Sequence, residues 1–214
     1  MPFKKFRRLF MAAAALVAAA MPVSAQLTAT EALKTIPDKL IPLLDKNTRL
    51  DMIDYYNSGS ATASKNAMSG KSRILALTPE HVVIELSSAS SCEIALLPAG
   101  NDTLIAFVST VATPAPDSRL KIYTSDWSND VTDKVFVAPS LDDWLTDEGK
   151  KNIDEVETMV PFMLAGGSFT TDNGTQYVLT NKVAQFLTEE VYRPMSSYFK
   201  PTLSYKWTGK KLSK

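Results

Sequence analysis

The chain has 214 residues, 45% of them hydrophobic and 21% charged, with 23 basic residues balancing 23 acidic ones. This balance argues against a nucleic-acid-binding protein, because such proteins draw most of their affinity from Lys and Arg side chains that neutralise phosphates. The single cysteine, Cys92, excludes an intramolecular disulfide. Cys92 lies among alternating strand residues and is predicted to be a small buried side chain rather than a reactive thiol.

The first 25 residues have the pattern of a signal peptide. Four basic residues precede an apolar run, Leu9 to Met21, which falls short of the roughly 20 residues that span a bilayer. Small residues then stand where a signal peptidase requires them, so we predict cleavage between Ala25 and Gln26. The alternative is an uncleaved N-terminal anchor. Cleavage leaves 19 basic and 23 acidic residues, a net charge of −4, with no transmembrane segment expected in the mature chain.

The mature chain begins with helical patterns. Thr28 followed by Glu31 predicts a capping box that opens a short helix. Apolar residues then recur at helical spacing between positions 40 and 56, with Asn47 as the predicted N-cap and Gly59 as the predicted C-terminal stop. The N-terminal third is therefore predicted to be helical.

Residues 58–71 are rich in Ser, Ala, Gly and Asn, which predicts a linker. Short β-rich runs follow it, separated by turn residues, at 73–77, 81–86, 92–97, 104–111 and 119–123. Connections this short force neighbouring strands to be antiparallel, so we predict a meander sheet. The run at 104–111 is almost continuously apolar and is predicted to be the central strand, covered on both faces.

After Trp127 the order of helices followed by strands repeats. The predicted elements are a helix opened by a capping box of Ser140 and Asp143, helices over 150–159 and 183–198, a hairpin around Asp172-Asn173-Gly174 and a strand over 203–207. The fold class predicted is α+β, with helices packed on an antiparallel meander sheet and helix-then-meander order occurring twice. We predict one domain over 26–214, with a subdivision near 125–140 as the alternative.

Several catalytic chemistries lack the residues they need. His81 is the only histidine, so a histidine-based zinc site is excluded, and a catalytic triad would have to use His81 without a nucleophile elbow. The pair Gly166-Gly167 lacks the Walker lysine and is interpreted as a bulge or turn between strands. We therefore predict no cofactor, no metal and no catalytic residue.

Acidic pairs have structural explanations as well. Asp142-Asp143 and Glu189-Glu190 are adjacent residues whose side chains would point apart on a helix, so they are interpreted as helix caps and solvated faces. The segment from Asp126 to Asp130 alternates oxygen ligands like part of a calcium loop but lacks the loop's glycine and distal glutamate. Nine aromatic residues are candidates for a ligand groove, although core packing is their more common role. They are Tyr55, Tyr56, Trp127, Trp144, Tyr192, Tyr198, Phe199, Tyr205 and Trp207.

Five segments of the mature chain form a recognisable set: Ile36 to Leu44, Asn47 to Tyr55, Leu77 to Leu97, Asp117 to Tyr123 with Trp127, and Pro201 to Leu212. In these segments the chain resembles a family of exported proteins of unknown function from Bacteroidales-type bacteria. Together the segments extend over nearly all of the mature chain. The resemblance implies an α+β fold and a location in the periplasm or on the outer surface of a Gram-negative bacterium. It implies no activity and no site residues.

One short motif gains meaning from this resemblance. Asp102-Thr103-Leu104 matches the acceptor pattern that such bacteria use to O-glycosylate exported proteins, so Thr103 is a candidate glycosylation site, with an ordinary turn residue as the alternative. The leading hypothesis is a non-enzymatic binding or interaction protein whose sheet face or edge contacts a protein or glycan partner. The alternatives are a carboxylate-dependent hydrolase and an envelope assembly component.

Overall fold

The structure is a computed structural model that describes residues 26–60, 62–171 and 174–214. The predicted signal peptide, with Ala25 on the N-terminal side of the cleavage point, lies outside the described residues. Gln26, on the other side of that point, is the first described residue and is exposed.

A six-stranded antiparallel sheet lies in the middle of the structure. Its strands neighbour one another in chain order, which confirms the predicted meander. They are β1 (Ser64–Lys65), β2 (Lys71–Leu77), β3 (His81–Ser87), β4 (Ser90–Ala99), β5 (Asp102–Val111) and β6 (Asp117–Thr124). All five predicted strand runs fall inside β2 to β6.

A four-stranded antiparallel sheet follows in the C-terminal half, again with its strands in chain order. Its strands are β7 (Ala165–Thr170), β8 (Gln176–Asn181), β9 (Thr202–Trp207) and β10 (Leu212–Ser213). Helices precede each sheet, so the predicted α+β class and its repeated helix-then-meander order are confirmed.

The helices are short. They are α1 (Ala29–Thr35), α2 (Lys46–Asn57), α3 (Thr132–Val135), α4 (Leu141–Trp144), α5 (Asp147–Lys151), α6 (Ile153–Met159) and α7 (Glu189–Met195), with 3-10 turns at Asp38–Leu40, Val183–Gln185 and Ser196–Tyr198. Among the described residues, no helix combines the length and the apolar character that crossing a membrane requires.

Alternation along β4 explains how the layers pack. Cys92 and Ile94 point to one face of the six-stranded sheet and pack with α1 and α2, whereas Ala95 and Leu97 point to the other face and pack against the four-stranded sheet. Each large side chain buried in this way stabilises the fold by roughly 1.5–3 kcal/mol. The six-stranded sheet is therefore covered by helices on one face and by the second sheet on the other.

The boundaries of α2 test two predictions. Gly59 ends the helix as predicted and has a positive φ of 71°. The predicted N-cap, Asn47, is wrong, because Asp45 has this role and its Oδ1 accepts a 2.7 Å hydrogen bond from the N–H of Thr48. A carboxylate near the helix N-terminus also interacts favourably with the helix dipole, which favours the earlier start.

Two predictions about the first sheet need correction. The predicted linker at 58–71 contains β1, which is only two residues long. The run at 104–111 forms β5, which lies next to the edge strand β6, whereas β3 and β4 are the middle strands. The run is nevertheless apolar because its central residues are buried between the helices and the second sheet.

Predictions for the C-terminal half were less accurate. Gly166 and Gly167 do not form a bulge or turn, because they pair in regular register with Thr180 and Leu179 inside the β7–β8 hairpin. A Cβ on Gly167 would lie 2.1 Å from the hydroxyl oxygen of Tyr177, so glycine is required there for packing. The helix predicted over 183–198 is reduced to α7 between two 3-10 turns, and the one over 150–159 is divided between α5 and α6.

Candidate functional site

The candidate site is a groove between the C-terminal end of α2 and the outer edge of β2, called the edge groove below. Its volume is about 540 Å³. The described residues that line it are Met52, Tyr55, Tyr56, Gly59, Ser60, Thr62, Arg73, Ile74 and Leu75. Tyr55, Tyr56 and Leu75 are large apolar or aromatic side chains that stay exposed in the folded protein. The groove therefore offers contact area that the described chain does not use.

The end of α2 holds the two tyrosines in place. The N–H of Ser60 donates to the carbonyl of Tyr55 at 2.9 Å, and the N–H of Gly59 donates to the carbonyl of Tyr56 at 3.1 Å. These two bonds form a Schellman motif, the common helix ending in which a glycine at positive φ reverses the chain. Both tyrosines belong to this ordered last turn, so their backbone is fixed before any ligand binds.

The sheet side of the groove is an open strand edge. β1 pairs only with Lys71 and Ser72 of β2, and no other strand of the described chain lies on that side of β2. The backbone from Arg73 to Leu77 is therefore an edge about 17 Å long at 3.4 Å per residue. An edge of this kind presents backbone donors and acceptors to another strand.

A β-bulge shapes this edge. Ile74 pairs with Ile84 and Ala76 pairs with Val83, so Leu75 is an extra residue without an opposite partner. The Leu75 side chain is 49% exposed and lines the groove. Bulges interrupt regular pairing and protect edges against indiscriminate association. A partner strand would have to match the bulge, which favours selective binding.

The described residues that line the groove are mostly uncharged. Its one charged lining residue in the described chain is Arg73, whose guanidinium binds the Glu85 carboxylate through Nε at 3.0 Å and Nη2 at 2.9 Å. No His, Cys, Asp or Glu is among the described residues that line it. The tyrosine hydroxyls, Ser60 and Thr62 supply hydrogen-bonding groups around an apolar floor, as in many binding sites.

His81 lies outside the edge groove, at the start of β3. Its Nε2 is 2.7 Å from Oε1 of Glu93, and the same oxygen accepts a 2.6 Å hydrogen bond from the N–H of Phe169. Glu93 was not among the residues predicted from the sequence. Its position between Cys92 and Ile94, in a run of otherwise apolar strand residues, was the available signal, but its partners depend on strand register and on the second sheet.

Cys92 is buried on the helix-facing side of β4, as predicted. Burial raises the pKa of its thiol to about 12, and the neighbouring charge of Glu93 acts in the same direction. A thiol with this pKa carries almost no thiolate at neutral pH, so it is a structural side chain rather than a nucleophile.

The segment from Asp126 to Asp130 forms a turn stabilised by its own side chains. Oδ1 of Asp126 accepts hydrogen bonds from the hydroxyls of Thr124 at 2.6 Å and Ser128 at 2.7 Å. Asp130 pairs with Lys121 and Thr132 instead. Among the described residues, no group of three or more His, Cys, Asp or Glu is placed to hold a metal ion. Turn formation therefore accounts for the alternating polar residues.

The remaining sequence candidates are distributed over the surface. Thr103 is the second residue of β5 rather than a turn residue, and it is half-buried with its N–H bonded to Oδ1 of Asp102 at 2.7 Å. Glycosylation of Thr103 stays a prediction. Oδ2 of Asp143 accepts a 2.8 Å hydrogen bond from the N–H of Ser140, as the predicted capping box requires. Glu189 and Glu190 lie in the exposed first turn of α7.

The comparisons with known proteins agree with this fold. The chain is similar to a domain of an uncharacterized protein from Porphyromonas gingivalis W83, with a TM-score of 0.72 and 20% identity over 86% of this chain and 95% of that one. At this identity the likeness shows the fold alone. No curated protein matched the chain. Residues 21–212 match the family described as "Protein of unknown function (DUF3256)". The protein described here therefore belongs to the DUF3256 family.

Proposed function

We propose that this protein is an exported, non-enzymatic recognition module that binds an extended segment of a partner protein in the edge groove. The observation that carries the proposal is the open outer edge of β2 beside two exposed tyrosines. A partner segment would add a strand to the sheet through backbone hydrogen bonds and place side chains against Tyr55, Tyr56 and Leu75. The partner could itself be an envelope protein, in which case the module serves assembly.

Binding is better supported than catalysis at this groove. A carboxylate-dependent glycoside hydrolase needs two facing carboxylates, and none of the described lining residues is Asp or Glu. Tyrosine side chains supply a large contact area at low cost in conformational entropy, which favours recognition. A glycan could also stack on the tyrosines, and the experiment below separates it from a protein strand.

The test compares the mature protein with two variants in a pull-down from the native envelope fraction. Leu75→Lys places a charge in the groove, whereas Val137→Lys makes the same change at a side chain that is 80% exposed and outside the groove. We expect one protein partner to be retained by the wild type and by Val137→Lys and lost with Leu75→Lys. Retention by all three proteins, or capture of envelope polysaccharide alone, would contradict the proposal.

Export has its own experiment. Fractionation of the native cells should place the protein outside the cytoplasm, and intact mass should correspond to a chain that begins at Gln26. The same measurement tests Thr103, since glycosylation adds mass that a Thr103→Ala variant lacks. A cytoplasmic protein that retains the N-terminal 25 residues would disprove the export part of the proposal.

A further inference from the structure

A second cavity of about 500 Å³ lies where the two sheets meet, called the junction cavity below. It is separate from the edge groove and shares no lining residue with it. The described residues that line it are Thr78, Glu80, His81, Ala95, Leu96, Pro98, Phe169, Thr170, Thr171 and Thr175. Its volume falls within the range of sites that bind small ligands.

His81, which forms part of the cavity wall, is hydrogen-bonded to Glu93. The register of β3 and β4 pairs His81 with Ala95 and Val83 with Glu93, so His81 and Glu93 lie diagonally on the same face of the sheet. Glu93 is buried, and its Oε1 is shared by His81 Nε2 and the N–H of Phe169. Because Oε1 is already the acceptor of the Phe169 N–H, Nε2 of His81 is assigned the proton of the bond that they share.

This arrangement fixes the tautomer of His81. With the proton on Nε2, the other ring nitrogen, Nδ1, is an acceptor in the neutral imidazole. No described residue is hydrogen-bonded to Nδ1. The cavity therefore has an acceptor that is held in place by a buried carboxylate and that faces a ligand able to donate a hydrogen bond.

Two carboxylates lie at the junction cavity, and the one described lining side chain that can carry a positive charge is the imidazole of His81. Glu80 is an exposed carboxylate that lines the cavity, and the buried Glu93 carboxylate lies behind His81. No lysine or arginine is among the described residues that line it. A concave site with carboxylates and low-dielectric walls focuses a negative potential and favours cations over anions.

The apolar lining residues indicate what kind of group the ligand carries beside its hydrogen-bond donor. Leu96, Pro98 and Phe169 supply apolar surface next to the acceptors. We propose that the junction cavity binds a primary ammonium group carried on an apolar body. Such a group occurs at a peptide N-terminus and at the end of a lysine side chain, which share this chemistry. This site is independent of the edge groove, and its ligand can bind whether or not the groove has a partner.

The experiment uses the mature protein and three six-carbon probes: hexylamine, hexanol and hexanoate. Binding is followed by NMR shift changes of His81 and the threonines of the cavity at low ionic strength. We expect hexylamine to shift these signals at concentrations at least about tenfold lower than hexanol, and hexanoate to leave them unchanged. Glu80→Gln should weaken hexylamine binding about three- to fivefold. The control Glu157→Gln makes the same charge change on α6, outside the cavity, and should have no effect.

Two further probes identify the source of the ammonium group: a short peptide with a free or an acetylated N-terminus, and Nα-acetyl-lysine amide. Displacement of hexylamine by the free but not the acetylated peptide, or by the lysine derivative, supports the proposal and names the source. Equal binding of hexylamine and hexanol, stronger binding of hexanoate, or shifts confined to residues outside the cavity would overturn it. Glu80 is exposed, so both glutamine variants should keep the thermal midpoint of the wild type.

Discussion

Oε1 of Glu93, on the six-stranded sheet, accepts a 2.6 Å hydrogen bond from the backbone N–H of Phe169, on the four-stranded sheet. The same oxygen is 2.7 Å from Nε2 of His81. A buried carboxylate is tolerated only where partners compensate for lost hydration. This one side chain therefore links the two sheets and orients the imidazole that lines the junction cavity.

Truncation of Glu93 should show how much this link stabilises the fold. Glu93→Ala leaves a buried backbone N–H at Phe169 without an acceptor, and we expect the free energy of unfolding to fall by about 2–3 kcal/mol. Glu93→Gln keeps an acceptor oxygen, so its free energy of unfolding should fall by less. Urea unfolding of the three proteins measures the difference. An alanine variant as stable as the wild type would show that the bond contributes nothing.

Gly167 should be far less tolerant of substitution than its neighbour. In Gly167→Ala the new Cβ meets the Tyr177 hydroxyl oxygen at 2.1 Å, and the expected loss is about 1–3 kcal/mol from overpacking. Gly166→Ala is the matched control, because its nearest contact is the flexible end of Lys182 at 3.2 Å. Thermal unfolding compares the two. Equal midpoints would mean that Tyr177 moves aside without cost.

Gly59 is required for its backbone conformation rather than for space. Its φ is 71°, and a Cβ placed there meets no atom within 4 Å. We therefore expect Gly59→Ala to destabilise the protein by roughly 1–2 kcal/mol, the cost of a left-handed conformation for an L-residue with a side chain. If the edge groove depends on the α2 ending, partner binding should weaken as well. A variant with wild-type stability by urea unfolding would refute the conformational argument.

Asp126 should contribute stability that depends on pH. Hydrogen bonds from the side chain of Thr124 and from Ser128 lower the pKa of Asp126 to about 2. A carboxyl whose pKa is depressed by folding stabilises the protein above its unfolded pKa of about 3.9, and this contribution is lost as the pH falls towards 2.

The variant Asp126→Asn imitates the protonated acid. We expect a lower thermal midpoint than the wild type at pH 7 and a much smaller difference near pH 2. Asp54→Asn, an exposed change on α2, is the control for the loss of one charge. A difference between wild type and Asp126→Asn that is the same at both pH values would contradict the pKa argument.

The reactivity of the Cys92 thiol should increase when the protein unfolds. Because burial raises its pKa to about 12, the thiol should not react with Ellman's reagent in the native protein at pH 8, and it should react at once in concentrated guanidinium chloride. In moderate denaturant the labelling rate should follow the opened population. Rapid labelling of the native protein would place Cys92 at an accessible site.

Local features were predictable from the sequence because they depend on residues close together in the chain. The β-rich runs at 81–86 and 92–97, each bounded by turn residues, identified β3 and β4. Gly59 was recognisable as a helix stop because glycine adopts positive φ without a side-chain clash. The prediction of Asn47 as the N-cap was wrong because Asp45, two residues earlier, competes for this role and is charged. Such errors of one or two residues are usual at helix ends.

Neither candidate site was predictable in this way. The edge groove exists because β1 pairs with only two residues of β2, and the length of a pairing depends on where the chain turns in space. Tyr55 and Tyr56 were noted as aromatic candidates, but helical spacing does not say whether a neighbouring strand will cover them. Gly167 was interpreted as a turn residue. Its real role is to leave space for the ring of Tyr177, and that ring belongs to another strand, so the sequence around Gly167 does not reveal it.

The sequence alone determined the α+β class, the strand order of the meander and the burial of Cys92, since each follows from composition, periodicity or short connections. The signal peptide stays a prediction from the sequence. The tertiary structure decided that Glu93 meets His81 and Phe169, that β2 keeps an open edge, and that a cavity forms where the sheets meet. These features bring together residues from different strands and from the two sheets, and no pattern along the chain encodes the register that unites them.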